Sequence, residues 1–426
     1  MVAAATGQEK DIAIQASGHK MYDLLAGLRV VEASAFVAGP SCALYLAQFG
    51  AEVIRIDQIG GGPDFRRWPL DPASGDSLYW EGLNKSKKSV ALDLTKPQGR
   101  ELAQRIATAP GDGAGLFVTN YPVDGFLSYE RLRALRDDLI CVRVMGWPDG
   151  RPAVDYTVNA AVGVPAMTGR PDDPRPVNHV LPAWDLLTGA YAAFALVTAE
   201  RARKADGQGR EVRIPLSDVA IASLAHLGQV GEALTTGHDR PRVGNQLYGA
   251  FGRDFVTRDG ERLMLVAITP RQWKRLVDLF GVGSEVASLE RELGVSFDRD
   301  EGLRYQHRER LNPIIETAIA GREAADLAGA FDAEGVCWSR YQTLSQAVGG
   351  NPYFSSANPI LSEIDHPSGR RYLAPGPAAS VSSETRRAPS PAPKLGQHTD
   401  AVLSEVLGLS AAEIARLHDA GLVANA

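Results

Sequence analysis

Short apolar runs alternate with helical segments through the first half of the chain. The runs at residues 28–34, 51–57, 88–94, 115–121 and 138–147 predict buried strands. Residues 41–50 predict a helix that ends at Gly50 and connects the first two strands. Because a strand–helix–strand unit places its strands in parallel with a right-handed crossover, the pattern predicts an open α/β sheet.

The pattern changes after Asp218. A helix is predicted over residues 220–236, then a glycine-containing loop over 240–255 and a hairpin over 255–268 that turns at Asp259 and Gly260. Helices are expected through much of 271–334, which together indicates a smaller α+β domain. Residues 386–394 hold three prolines and predict an extended connection, and two short helices are expected within 395–423.

Composition narrows the class of protein. The chain has 426 residues, 44% of them hydrophobic, and a net charge of −6, which gives no reason to expect a nucleic-acid partner. Residues 1–20 lack a continuous apolar segment, so we expect a disordered extension and not a signal peptide. No apolar stretch approaches the length of a membrane span. Three separated cysteines, Cys42, Cys141 and Cys337, predict neither disulfides nor a zinc site, and a cytoplasmic location fits.

One carboxylate stands out at the start of a long apolar helix. Within residues 177–204, Pro182 interrupts the preceding chain and Asp185 opens the helical pattern. Spacing alone favours a helix cap, since an aspartate there can accept orphan backbone N–H groups. The same position should keep the carboxylate ionised, and an ionised carboxylate can act as a nucleophile. His179 could be its base, or equally a structural or substrate-orienting histidine.

The first strand–helix unit does not predict a dinucleotide site. The loop at residues 33–40, ASAFVAGP, lacks the glycines that let a backbone approach a pyrophosphate, although Asp57 ends the next strand. A helix N-terminus there could still bind a phosphate or an adenine edge. The cations of GGGPDFRRW (60–68) and NKSKKS (84–89) form either a solvated basic face or a cradle for a phosphorylated ligand; they are Arg66, Arg67, Lys85, Lys87 and Lys88.

Ordered motifs over residues 24–423 resemble the class III CoA-transferase family. They are AGP followed by FGAEVIRID (38–57), NKSKKSVALDL (84–94), VTNY (118–121), PAWDLLTG (182–189), GQGREVRIPLSD (207–218) and APKLGQHTD (392–400). The resemblance implies that Asp185 is the covalent catalyst. It also implies an acyl-CoA thioester substrate, with coenzyme A bound as part of that substrate and with no prosthetic group or metal.

The same resemblance implies an architecture. A Rossmann-like large domain is formed by both chain ends, a small α+β domain is inserted, and two subunits interlock as a homodimer. For this chain the resemblance implies a large domain over residues 21–220 and 358–426 and a small domain over residues 246–338. Residues 221–245 and 339–357 are the implied linkers.

The family's binding residues map onto definite positions. CoA contacts are expected from Ala35, Phe36, Val37, Ala38, Gln58, Leu92, Asn120, Tyr121, Val144 and Met145, with Lys87 and Lys88 nearby; Gln58 replaces a family arginine. Candidates for the substrate pocket are His179, Gly244, Asn245, Gln246, Tyr248 and Gly249. The loop containing the last five could supply oxyanion-binding N–H groups and close the pocket.

The branch of the family is also indicated. The racemase branch has a catalytic histidine where this chain has Val154, so racemisation is disfavoured. The longest matching runs resemble a branch that moves CoA between the two carboxylates of one branched unsaturated diacid. An intermolecular CoA-transferase, a non-catalytic CoA-binding protein and a thioester hydrolase stay as alternatives.

Overall fold

The computed structural model describes residues 21–426, so the extension expected over residues 1–20 lies outside the described part. The strands are β1 (Arg29–Ala33), β2 (Glu52–Gln58), β3 (Lys88–Leu92), β4 (Leu116–Thr119), β5 (Ile140–Met145), β6 (Arg210–Pro215), β7 (Phe251–Val256), β8 (Arg262–Ala267), β9 (Cys337–Arg340), β10 (Leu361–Asp365), β11 (Arg371–Pro375) and β12 (Val423–Ala424). The helices are α1 (Ala38–Gln48), α2 (Leu78–Leu83), α3 (Pro97–Ala107), α4 (Tyr129–Leu135), α5 (Asp155–Ala161), α6 (Val164–Met167), α7 (Ala183–Asp206), α8 (Leu216–His226), α9 (Gln229–Thr236), α10 (Pro270–Phe280), α11 (Gly283–Leu293), α12 (Glu301–Gln306), α13 (Arg308–Ala320), α14 (Ala324–Glu334), α15 (Leu344–Gly350), α16 (Thr399–Leu407) and α17 (Ala411–Asp419), with a 3₁₀ turn at Pro352–Phe354.

The chain divides into two compact units, and the first contains a seven-stranded sheet. This unit comprises the described residues up to Val162, then His179–Val230 and Pro352–Ala426. The strand order is β12-β3-β2-β1-β4-β5-β6. All neighbouring strands run parallel except β12, which pairs antiparallel with β3. The prediction of an open, mostly parallel α/β sheet is confirmed.

Both faces of this sheet are buried. Val31, Ile54 and Val90 face a core cluster that also contains residues of α3, α16 and α17. The alternate positions, such as Val30 and Val53, face a second cluster built with α1 and α7. Because helices cover both faces, the strands read as nearly continuous apolar runs in the sequence.

The second unit comprises Gly163–Asn178 and Gly231–Asn351. An antiparallel sheet in the order β7-β8-β9 packs with helices around an aromatic core that includes Phe251, Trp273, Phe297 and Phe331. The hairpin predicted to turn at Asp259 and Gly260 is present, with Val256 paired to Arg262. This unit is therefore α+β, as the sequence pattern indicated.

Several local predictions differ from the structure. The helix expected over 220–236 is two helices, α8 and α9, interrupted at Gly228, whose φ of 75° breaks the helical geometry. Residues 251–255, expected to be loop, begin β7 instead. Contacts group residues 163–178, 231–245 and 339–351 with the second unit. The predicted domain and linker boundaries stay predictions. Among residues 21–426, no helix combines the length and the apolarity that crossing a bilayer requires.

Candidate active site

Asp185 lies in the first turn of α7, which begins at Ala183 after Pro182. Its carboxylate is partly buried, and among the described residues it accepts no hydrogen bond. The prediction that the Asp185 side chain caps this helix is therefore wrong. The carboxylate is left without the internal partners that would hold it in a structural role.

The start of α7 is capped instead by Asp155, the first residue of α5. One carboxylate oxygen of Asp155 accepts hydrogen bonds from the backbone N–H groups of Trp184 and Asp185, at 2.6 and 3.1 Å. The other oxygen is 2.5 Å from Nε2 of His179. Asp155 is almost completely buried, and these hydrogen bonds offset the cost of burying its carboxylate. His179 thus contacts the residue that positions the helix and belongs to the support of Asp185.

Burial, together with the negative charge of Asp155, raises the pKa of Asp185 to about 7, and the Arg67 guanidinium partly opposes this rise. The expectation that the helix N-terminus keeps this carboxylate ionised is corrected, because desolvation outweighs the helix dipole. A carboxylate that is poorly solvated when ionised is a stronger nucleophile than one in water. The shift is of the kind found at functional sites.

Close packing of α7 on α1 fixes the height of Asp185 above the sheet. A Cβ atom at Gly189, one turn after Asp185, would lie 2.0 Å from Oγ of Ser41 and 2.8 Å from the backbone oxygen of Ala38. Only glycine allows this approach. The glycine of the PAWDLLTG motif therefore has a packing role that positions the carboxylate.

A cavity of about 540 Å³ opens beside Asp185. It lies beyond the carboxyl ends of β1, β4 and β5, where the sheet order reverses and open α/β proteins bind ligands. Besides Asp185, its lining includes the predicted CoA contacts Ala35, Phe36, Val37, Ala38, Asn120, Tyr121, Val144 and Met145. The structure thus brings these residues together with the candidate nucleophile.

The loop after β1 is held in an unusual conformation at this cavity. Phe36 has a φ of 68°, a left-handed value that a bulky side chain adopts only when its surroundings require it. The side chain of Asn120 clamps the loop, because its oxygen accepts from the Ala35 N–H at 3.2 Å and its nitrogen donates to the Ala35 carbonyl at 2.9 Å. No side chain caps the α1 N-terminus at Val37, so its N–H groups remain available for an anionic group.

Other predicted contacts lie outside the cavity lining. Gln58 and Leu92 pair at the carboxyl ends of β2 and β3. The Gln58 side chain accepts a hydrogen bond from the Leu94 N–H at 3.0 Å, and Leu92 is fully buried. Lys88 forms an ion pair with Glu52 at 2.7 Å.

The environment of Lys87 differs from the expected basic surface or cradle for a phosphorylated ligand. Its side chain is completely buried, where Nζ contacts Glu32 and the Pro40 carbonyl, both at 2.8 Å, and Asn84 at 3.0 Å. Arg55 joins the same network through Glu32. Lys87 therefore belongs to an internal ion-pair network and not to a surface that a phosphate could reach.

The candidate loop of the second unit is ordered by contacts within that unit. The Gly244 N–H donates to the Gly169 carbonyl at 2.9 Å, and the Tyr248 hydroxyl donates to Glu232 at 2.6 Å. Gly244 and Gly249 have positive φ values of 61° and 80°. The roles expected for Gly244, Asn245, Gln246, Tyr248 and Gly249 in substrate binding stay predictions.

Sequence reasoning missed Asp155. Its carboxylate acts on a helix that follows in the chain only after the segment 163–178, and local patterns carry no sign of such a contact. A cluster of three or more His, Cys, Asp or Glu side chains suited to a metal ion is not found within residues 21–426.

Comparison with known proteins identifies relatives over nearly the whole chain. The chain is 46% identical over 405 residues to 2-methylfumaryl-CoA isomerase of Chloroflexus aurantiacus, covering 95% of this chain and 99% of that protein. It is 29% identical over 399 residues to succinyl-CoA–D-citramalate CoA-transferase of the same organism, covering 92% and 96%. A crystal structure of a CAIB/BAIF family protein from Brucella suis superimposes with a TM-score of 0.72 at 26% identity, covering 90% of this chain and 99% of that one. Because residues 25–399 also match the sequence profile of CoA-transferase family III, the chain belongs to that family.

Proposed function

We propose that this protein isomerises 2-methylfumaryl-CoA (mesaconyl-CoA) by moving CoA between the C1 and C4 carboxylates of one mesaconate. The observation that carries the proposal is the Asp185 carboxylate, which accepts no hydrogen bond from the described residues and which lines the same cavity as the predicted CoA contacts. The 46% identity to an isomerase of this substrate supports the choice of diacid.

The first half of the reaction transfers CoA to the enzyme. An oxygen of Asp185 attacks the C1 thioester carbonyl, the carbon–sulfur bond breaks, and a mixed anhydride and CoA thiolate form. The thiolate then attacks the side-chain carbonyl of Asp185. The anhydride carbon–oxygen bond breaks, leaving an aspartyl-CoA thioester and free mesaconate.

The second half reverses these steps at the other carboxylate. The C4 carboxylate attacks the aspartyl thioester, and CoA thiolate leaves. The returning thiolate attacks the C4 carbonyl and releases the Asp185 carboxylate, so no proton is gained or lost overall. Since carboxylates are weak nucleophiles, proximity must supply much of the rate, and orientation contributes roughly 7–11 kcal/mol in well-aligned intramolecular reactions.

The surroundings of Asp185 suit this chemistry. Burial makes its ionised form reactive and limits access of water to an anhydride. Asp155 occupies the backbone N–H groups of the first turn of α7, which leaves the Asp185 oxygens free to attack. This arrangement argues against a CoA-binding protein in which Asp185 serves only as a cap.

A homodimer is part of the proposal. Large apolar side chains of α7 are exposed at one- and two-turn spacings: Leu187 by 44%, Tyr191 by 53% and Phe194 by 67%. Leu227, after α8, is 70% exposed. An exposed apolar stripe of this kind marks an interaction surface, and a second copy of the chain, as in the interlocked dimers of the family, would cover it.

The test is incubation of the purified protein with mesaconyl-C1-CoA and chromatographic separation of the two CoA isomers. We expect the C4 isomer to form, and Asp185→Asn to lose roughly 10³-fold or more in turnover. Absence of the C4 isomer with the wild-type protein would refute the proposed substrate. Near-normal turnover in the variant would refute the nucleophile.

Isotopically labelled free mesaconate separates intramolecular from intermolecular transfer. If the diacid stays bound through both halves of the reaction, little label enters the product thioester. An intermolecular CoA-transferase releases the first acid and would incorporate label on nearly every turnover.

A further inference from the structure

Arg67 is an exposed cation beside the candidate active site. It lies between β2 and α2, where its backbone carbonyl accepts a hydrogen bond from the Ser77 hydroxyl at 2.5 Å. Within the described residues its guanidinium forms no ion pair and no hydrogen bond, whereas Arg55 is bound by several buried carboxylates. An arginine of this kind is available for a ligand anion.

Two aromatic rings hold this guanidinium in place. Its central carbon lies 5.4 Å from the centroid of the Phe36 ring and 5.5 Å from that of the Tyr79 ring. Such contacts orient a cation without neutralising its charge. Phe36 also lines the Asp185 cavity, so the guanidinium stands at its edge.

Tyr79 adds a second unused donor. Its hydroxyl oxygen is buried and has no hydrogen-bond partner among the described residues. A buried unsatisfied polar group costs roughly 1–3 kcal/mol, which a ligand acceptor would recover. Burial raises the pKa of Tyr79, so the hydroxyl keeps its proton and is a donor at neutral pH.

Asp185 lies within electrostatic range of both groups. Burial and Asp155 raise the pKa of Asp185 and the charge of Arg67 offsets part of that rise, while the charge of Asp185 contributes to the raised pKa of Tyr79. Two donors and one nucleophile therefore share a small region. A short diacid presents two carboxylates to such a region, one for covalent chemistry and one for recognition.

We propose that Arg67 and Tyr79 bind the carboxylate of the diacid that is not reacting with Asp185. A guanidinium and a hydroxyl match a carboxylate in charge and in hydrogen-bond donors. This inference rests on the proposed function and names the group that recognises its substrate. After CoA moves to Asp185, the same pair holds the freed diacid, which turns to present its other end without leaving.

The test uses Arg67→Gln, Arg67→Lys and Tyr79→Phe, with Arg131→Gln as the matched control because Arg131 is an exposed arginine of α4 that does not line the cavity. Isomerisation of mesaconyl-C1-CoA is measured together with the incorporation of labelled free mesaconate. We expect Arg67→Gln to lower kcat/KM roughly 10- to 100-fold and Tyr79→Phe roughly tenfold, as for lost hydrogen bonds to a charged group. Label incorporation should rise in both, and the control should match the wild type.

Affinity for free CoA, measured by calorimetry, distinguishes a carboxylate role from a phosphate role. We expect Arg67→Gln to keep the wild-type affinity. A parallel loss of CoA affinity would mean that Arg67 binds a CoA phosphate, and unchanged kinetics would mean that it binds nothing; either overturns the inference. Arg67→Lys, which retains the charge, should recover part of the lost activity, and no recovery in a folded variant would count against recognition by charge. Failure of the wild-type protein to form the C4 isomer would instead refute the proposed function.

Discussion

Replacing the Asp185 carboxylate by an amide should stabilise the protein while abolishing turnover. The pKa of Asp185 rises from 3.8 to about 7 on folding, so the ionised form is disfavoured in the folded state. A difference of about 3 pKa units corresponds to about 4 kcal/mol at 1.36 kcal/mol per unit. Because the side chain is only partly buried, solvent screening reduces this value, and we expect Asp185→Asn to gain about 2–4 kcal/mol in the free energy of unfolding at pH 8.

The gain depends on pH in a defined direction. Below about pH 4 the carboxyl is protonated in both folded and unfolded chains, so the variant has no advantage. Between about pH 4 and 7 the unfolded chain loses the proton while the folded chain keeps it, and wild-type stability falls relative to the variant. Above pH 7 the difference is constant. The gain at pH 5 should therefore be less than half the gain at pH 8.

Urea unfolding of both proteins, followed by circular dichroism at several pH values from 5 to 8, measures this difference. Asp149→Asn is the matched control, because a hydrogen bond from the Arg151 backbone holds the pKa of Asp149 below its usual value and its loss should bring no gain. If Asp185→Asn is equally or less stable than the wild type at pH 8, burial does not raise the pKa of Asp185. The argument for a desolvated nucleophile would then fail.

Three further predictions follow from the same geometry. The specificity constant kcat/KM should fall as the pH is lowered, with a midpoint near pH 7, because protonated Asp185 cannot attack the thioester. A flat profile of kcat/KM from pH 5.5 to 9 would contradict this. Gly189→Ala should lower the free energy of unfolding by about 1–3 kcal/mol and should also lower turnover, because the added Cβ would meet Ser41 and the Ala38 carbonyl. The control is Gly329→Ala, on a helix with open space around the glycine, which should lower neither quantity. Dilution in analytical ultracentrifugation should give no monomer, and a concentration-dependent monomer would contradict an interlocked dimer.

The sheet could be predicted from the sequence because burial on both faces leaves a local signal. Each central strand carries consecutive apolar residues, as in Leu116–Thr119, and glycine or polar residues end it. The sequence does not predict β6 as a strand. β6 lies partly exposed at the edge of the sheet, so charged residues interrupt its apolar residues. Edge strands lack the pattern that identifies central ones.

The site could be predicted only in part, because its chemistry depends on contacts between distant segments. The sequence indicates Asp185 from its place at the start of an apolar helix, yet its pKa depends on burial and on Asp155, which lies in another helix. Lys87 looked like a surface cation because nothing in its local sequence shows that Glu32 is its buried partner. Residue type and spacing indicate a candidate site residue, while burial and partners distant in sequence determine its pKa and whether a ligand can reach it.

The pairing of β12 with β3 has a consequence for how the protein is made. Val423 and Ala424 cover the edge of a strand that contains Leu92 and Ala91, so the main sheet is completed by a segment that follows the whole second unit in the chain. During synthesis β3 is an open edge while the whole second unit emerges from the ribosome, and an open edge can pair with other chains. Deletion of Val423 and Ala424 would therefore act on folding yield and aggregation during translation, and not on the chemistry proposed for Asp185.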